Sequence, residues 1–408
     1  MPATTPAAAL APHPGTDRLR LTARETLPED GTAGTLLARV WNPAVGGPSP
    51  AAVRAEGVFD VSASFPTVAE LCEQEDPAAA LAAAPGVLVG EVEELLATTT
   101  RRPGDPSRAH FLAPTDLQPV KAAGVTFAVS MVERLIEERA LGNPEAAAEI
   151  RARIGEALGG DLRTLRPGSP QAAAVKRLLV ERGEWSQYLE VGIGPDAEIF
   201  TKAMPLSAVG TGSRAGVLRE SEWNNPEPEV GLVVSSRGTA VGATLANDIN
   251  LRDIEGRSAL LLPKAKDNNA SCVLGPFVRL FDATFGLDDV RSTTVRLEVT
   301  GTEGYRLAGE SAHSEISRDP AELVAQLMGE HHQYPDGVVL LLGTMFAPVD
   351  DRDVPGGGFT HRVGDIVRIS APRLGTLAHE IHHSQDCAPW TFGTRALMAN
   401  LARRGLLS

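Results

Sequence analysis

Residues 223–276 constrain this chain more than any other stretch. They read WNNPEPEVGLVVSSRGTAVGATLANDINLRDIEGRSALLLPKAKDNNASCVLGP. The alternating run Val230 to Ser235 predicts a strand, Ser236-Arg237-Gly238-Thr239 a turn, and Ala240 to Ala246 a returning strand. Residues i and i+2 of a strand share a face. Glu227 and Glu229 therefore point the same way just ahead of the first strand, and the return brings Asp248 towards them. Pro228, between the glutamates, argues against a central strand at that point. Three carboxylates from adjoining strands are hard oxygen ligands, suited to Mg²⁺, with Mn²⁺ or Ca²⁺ as alternatives. Two glutamates at this spacing also describe a plain solvated face. Arg252, Lys264 and Lys266 follow, however, and acidic ligands backed by fixed cations make a site for a metal together with an anionic substrate.

The segments PEPE, NDINLRD and KAKDNNASCVLGPF occur in that order. Together they resemble the catalytic domain of the fumarylacetoacetate hydrolase superfamily, over residues 120–375. The longer wording is most similar to its sugar-acid branch, the 2-keto-3-deoxy-pentonate dehydratases of the D-xylonate or D-arabinonate type. The resemblance implies an α+β protein. A small N-terminal α+β domain (17–112) precedes a C-terminal fumarylacetoacetase-like domain (113–408), a mixed β-sandwich roll with flanking helices. A lid-like helical insertion is expected at about 140–182, and residues 1–16 form a tail. The branch also implies homodimers or homotetramers.

The site residues follow from the same resemblance. Glu227, Glu229 and Asp248 fall on the metal ligands, with Mg²⁺ as cofactor and a small 2-keto acid as substrate. Glu133 falls on the family's catalytic glutamate, and Ser130 on the histidine that pairs with it in the hydrolytic members. Hydrolysis needs that pair to activate water. Its loss at Ser130 favours a dehydratase, in which Ser130 only contacts substrate. Glu133 and Lys266 are then the acid and base, in an order the sequence leaves open. Thr344, in VVLLLGT, falls where the family closes on the substrate carboxylate, and Arg252 supplies a further cation for the substrate. The alternatives are a C–C bond hydrolase or decarboxylase of the acylpyruvate or fumarylacetoacetate type, and a non-enzymatic sugar-acid-binding protein.

Charge narrows the partners. The formal net charge is -14, which disfavours nucleic acid and offers no basic face to anionic lipid. The three cysteines, Cys72, Cys272 and Cys387, are far apart and set no disulfide or zinc spacing. No apolar run is long enough to span a bilayer, and the Ala/Pro-rich start lacks the positive charge of a signal peptide. A cytoplasmic location is expected.

Elsewhere, strand-like pieces are expected at Leu19 to Ala23, Gly34 to Trp41, Val53 to Val61 and Glu190 to Gly194, and a proline-rich connection at Pro43 to Pro50. Lys202 ends a further strand and either faces the site or is solvated. His379-Glu380-Ile381-His382-His383 matches the zinc-protease pattern H-E-x-x-H. That pattern needs a third protein ligand, and only Asp386 follows as an acidic residue. The resemblance instead makes this segment a turn leading into a C-terminal helix, Phe392 to Leu407.

Overall fold

The run from Val230 alternates between two apolar faces, as does its neighbour, and such strands must be covered on both sides. The computed structural model describes residues 18–101, 103–128, 131, 165–181, 183, 185–346, 351–352 and 358–407, and it meets that demand with two packed sheets and a layer of helices. In chain order the strands are β1 (Leu36–Asn42), β2 (Gly47–Arg54), β3 (Gly57–Asp60), β4 (Val87–Gly90), β5 (His110–Phe111) and β6 (Val120–Gly124). Then come β7 (Glu198–Ala203), β8 (Arg214–Val217), β9 (Asn224–Asn225), β10 (Pro228–Val234), β11 (Ala240–Asp248) and β12 (Asn250–Leu251). The chain closes with β13 (Cys272–Leu280), β14 (Thr294–Thr300), β15 (Arg306–Ala312), β16 (Val338–Leu341), β17 (Ile366–Ala371) and β18 (Gly375–His383).

The larger sheet runs β4-β3-β2-β1-β13-β11-β10-β16-β6-β7, with β5 beside β1. The smaller runs β15-β14-β17-β18-β8. Both are mixed: β16 pairs with β6, and β18 with β8, in parallel. Between the sheets, Val230, Leu232 and Val234 of β10 and Ala243 and Leu245 of β11 share one core with Leu297, Ile369, Leu377 and Ile381. The alternate residues Val233 and Ala246 turn to the opposite face. There Val68, Leu71, Ala78 and Leu81 cover them from the helices Val68–Cys72 and Pro77–Ala83. The acidic side chains share this second face, because Glu229 precedes Val233 by four residues and Asp248 follows Ala246 by two.

The N-terminal strands extend the same sheet. β1 pairs antiparallel with β13, Leu36 opposite Arg279 and Leu37 opposite Val278, so strands from before residue 112 and from after it share one sheet. The buried Arg279 guanidinium forks onto Asp30 at 2.7 and 2.8 Å, tying the turn around Asp30 to this seam.

Several local expectations are corrected. Pro228 opens a central strand, since β10 lies between β11 and β16; as its first residue the proline interrupts no interior ladder bond. The second half of the proline-rich stretch is strand β2, entered from a turn at residues 43–46. Pro48 and Pro50 lie ahead of its pairing with β3, which begins at Ala51, so no second partner needs their missing N–H groups. Val53 to Val61 is not one strand but the β2–β3 hairpin, and Leu19 to Ala23 leads into a short helix, Ala23–Thr26. Glu190 to Gly194 belongs to the helix Gln187–Ile193, capped by Ser186, with Tyr188, Leu189 and Ile193 buried along one side. The His379–His383 segment is neither helix nor turn. It lies in β18, paired on both flanks by β17 and β8. The C-terminal helix is shorter than expected, Thr394–Arg403. No helix of the described residues is long and apolar enough to cross a membrane.

Two histidines are locked inside this packing. His313 is fully buried, its ring nearly perpendicular to that of Phe127 with centres 6.0 Å apart, and burial pushes its pKa down to about 4. His379 is equally buried. Burial first, and then the nearby His361, push its pKa down to about 3. Each is neutral in the folded chain but titrates near 6.5 once unfolded. The unfolded state therefore binds more protons below that value, and stability falls with pH. In urea unfolding, the stabilisation that these histidines supply should be complete above pH 7. Between pH 6.5 and 4 it should lose on the order of 1 kcal/mol per pH unit for each histidine. Replacing His313 by Leu should flatten that slope.

Candidate metal centre

The rim of the larger sheet gathers the acidic residues. Glu227 lies just before β10, Glu229 within it and Asp248 at the end of β11. The register that sets Glu229 opposite Ala246 and Pro228 opposite Asn247 brings the three together. One oxygen from each carboxylate lies within 4.8 Å of the others, and all three side chains are buried. Three like charges so close, out of water, require compensation.

Two lysines supply it. Lys266, in the last turn of the helix Leu262–Lys266, donates from Nζ to Glu227 Oε2 and, at 3.1 Å, to Asp248 Oδ2. Its ammonium also stands 5.3 Å from the centre of the Phe200 ring. Lys202, on β7, is wholly buried. It donates to the Ile249 and Lys266 carbonyls at 2.8 and 2.6 Å. Its Nζ lies 2.7 Å from Asp248 Oδ1, a close ion pair without hydrogen-bond alignment. At full ionisation the five side chains sum to a charge of -1, which leaves the cluster fit for a further cation.

The surroundings divide the three carboxylates. Burial pushes Glu229 well above the usual carboxylate range, and Asp248 and Glu227 push it further. Burial acts the same way on Asp248, but Lys202 and Lys266 outweigh it and hold its carboxyl below the usual range. Glu229 Oε2 accepts from the Gly343 N–H at 2.8 Å. Gly343 adopts a φ of +88°, and a Cβ there would meet Thr126 Oγ1 at 2.1 Å, so only glycine can bring this N–H so close. Glu227 is held through its backbone, whose N–H donates to Asn247 Oδ1 at 2.9 Å.

Glu227, Glu229, Asp248 and Lys266 are thus brought together. Thr344 follows Gly343 at the same rim, nearly buried, with Oγ1 accepting from the Phe346 N–H at 3.1 Å. Arg252 begins the short helix after β12, its guanidinium 4.3 Å from the centre of the Trp223 ring. Ser130 and Glu133 lie outside the described residues. Of the two alternatives for Lys202, the site-facing one holds, and Asn247, the first residue of the NDINLRD segment, joins the cluster. Apolar Ile199 and Phe200 ahead of Lys202, and the Asn-Asp pair at 247–248, are the sequence signals for them. His379 and His383 cannot share a metal. Four residues along a strand they stand roughly 13 Å apart, and among the described residues the one acidic or histidine grouping able to hold an ion is Glu227, Glu229 and Asp248.

Residues 187–382 match the fumarylacetoacetate (FAA) hydrolase C-terminal family. A protein of Haloferax volcanii named "Probable 2-keto-3-deoxyxylonate dehydratase" is 34% identical over 194 residues, 48% of this chain and 63% of that protein. The 2-dehydro-3-deoxy-D-arabinonate dehydratase of Saccharolobus solfataricus is 32% identical over 180 residues, 44% of this chain and 57% of that protein. The chain thus spans less than two thirds of these curated relatives' length. A solved 2-keto-3-deoxy-D-arabinonate dehydratase complexed with magnesium and 2,5-dioxopentanoate superposes with a TM-score of 0.59 at 22% identity, over 85% of this chain and 99% of that one. Its apo form gives 0.58 at 22%, with the same coverage. At this identity the likeness is one of fold, and it bears out the expected α+β architecture.

Replacing Glu229 by Gln should separate stability from metal binding. Without metal the variant should unfold at an equal or higher temperature than the parent, because a crowded buried carboxylate is neutralised. Mg²⁺ at 100 times its Kd should stabilise the parent by about 2.7 kcal/mol and the variant hardly at all. A Mg²⁺-induced thermal shift kept intact in the variant would contradict this site.

Proposed function

We propose that this chain, whose residues 187–382 match the FAA hydrolase C-terminal family, is a Mg²⁺-dependent hydro-lyase. Its substrate would be a 2-keto-3-deoxy-pentonate derived from D-xylonate or D-arabinonate, and its product 2,5-dioxopentanoate. The observation that carries this reading is the buried triad Glu227, Glu229 and Asp248 with two lysines against it. The two relatives named as dehydratases of such acids support it.

Glu227, Glu229 and Asp248 would hold the cation. Bound there, a divalent ion acts as a Lewis acid that stabilises negative charge developing on the 2-keto oxygen. Thr344 and Arg252 would bind the substrate carboxylate end, with Ser130 a further contact. Lys266 and Glu133 would move the protons. One takes the proton from C3, and the electron pair left behind forms the C3–C4 double bond as the C4–O bond breaks. The other gives its proton to the departing hydroxyl, which leaves as water. We favour Lys266, acting as the neutral amine, at C3 and Glu133, acting as the protonated carboxylic acid, at the hydroxyl. The unsaturated product isomerises through the C5 enol to the aldehyde. Ser130, lacking a basic nitrogen, supplies no group to activate an attacking water. We further place the protein in the cytoplasm as a homodimer or homotetramer.

The direct test mixes the protein with 2-keto-3-deoxy-D-xylonate or 2-keto-3-deoxy-D-arabinonate and follows 2,5-dioxopentanoate. Product should form with Mg²⁺ and stop with a chelator. Lys266→Ala and Glu133→Gln should each lower kcat by about 10²–10⁴-fold. No product from either acid with Mg²⁺ present would remove the proposal. Pyruvate or acetoacetate released from a diketo acid would replace it with a C–C bond hydrolase or decarboxylase.

A further inference from the structure

The H-E-x-x-H segment is the one sequence motif the proposed reaction does not use. Its first histidine nevertheless sits against the metal centre from behind. Asn247 and Asp248 are consecutive in β11, so their side chains leave opposite faces of the sheet. Asp248 points to the triad. Asn247 shares the face of Leu245 and points between the sheets. His379 shares the face of Leu377 and Ile381 on β18 and points at it from the other side. Asn247 Nδ2 and His379 Nε2 are 2.9 Å apart.

We infer that His379 is a positioning residue for the acidic triad, holding the Glu227 backbone in place through the Asn247 side chain. The donors and acceptors leave a single arrangement. The Glu227 N–H can only donate, so the Asn247 atom it meets at 2.9 Å is the carbonyl Oδ1. That turns the amide NH₂ towards His379. An NH₂ group only donates, so His379 Nε2 must accept and the ring proton must sit on Nδ1. Burial keeps the ring neutral, as this requires. Behind it, His361 faces Asp365 Oδ2 through Nδ1 at 3.3 Å. His361 Nε2 and His379 Nδ1 are both without a hydrogen-bond partner among the described residues, one an acceptor and the other a donor.

Groups of this kind orient ligands without touching the ion, and their loss typically weakens metal affinity 10–100-fold. The inference rests on reading Glu227 as a metal ligand. It adds that β18, on the far side of the sandwich, sets the position of that ligand.

Mn²⁺ binding to the full chain, followed by electron paramagnetic resonance, gives a readout independent of turnover. His379→Leu should weaken Mn²⁺ about 10–100-fold with a native circular dichroism spectrum. His379→Gln, whose Oε1 can accept from Asn247, should restore most of the affinity. In the unmodified protein, ¹⁵N resonance at pH 7 should find the His379 proton on Nδ1; this arm needs no variant to fold. A proton on Nε2, wild-type affinity in His379→Leu, or a Gln variant no better than Leu would overturn the inference alone. Absence of Mn²⁺ binding by the unmodified protein would overturn the metal reading and this inference with it.

Discussion

Everything at this rim depends on one electrostatic balance. Three carboxylates are held within 4.8 Å of one another inside the protein, and two buried lysines keep them there. Moving such charges out of water is costly, and their attraction offsets that cost only when geometry and hydrogen bonding are good. The cluster is therefore poor evidence for stability and good evidence for use. Acidic excess over the whole chain makes the local concentration of Lys202 and Lys266 more telling, because nothing in the composition required it.

Hydrophobic packing converts this balance into a defined geometry. Val230, Leu232 and Val234 are committed to the space between the sheets, and Val233 and Ala246 to the helical face. A slip of one residue would exchange those faces and drive Glu229 into the apolar sandwich. The register that buries the valines is thus the register that converges the carboxylates. Gly343 and Asn247 then trim the result, one by bringing a backbone N–H to Glu229 and the other by accepting from the backbone of Glu227.

Sandwich and site are consequently one construction. The face of β11 that carries Asp248 to the rim has Asn247 on its reverse, and the contact to His379 links residues 132 positions apart in the chain. The acidic cluster and the packing of the smaller sheet meet in a single amide. This is a physical reason for a buried, neutral histidine where an apolar side chain would otherwise serve.

Much of this was legible in the chain itself. The strand–turn–strand pattern, the i, i+2 glutamates and the ordered segments PEPE, NDINLRD and KAKDNNASCVLGPF pointed to the triad, because alternation and turn chemistry are local properties. Tertiary structure alone decided the rest. Lys202 reads equally as site-facing or solvated until β7 and the helix Leu262–Lys266 close around it. Pro228 argues against a central strand until it is seen to be the first residue of β10. Residues 190–194 read as strand until burial of Tyr188, Leu189 and Ile193 selects a helix. The H-E-x-x-H segment carries a helical motif but lies in β18, since pairing to β17 and β8 on both flanks outweighs any local pattern. In each case the deciding contact comes from residues distant in sequence, and no local spacing encodes it.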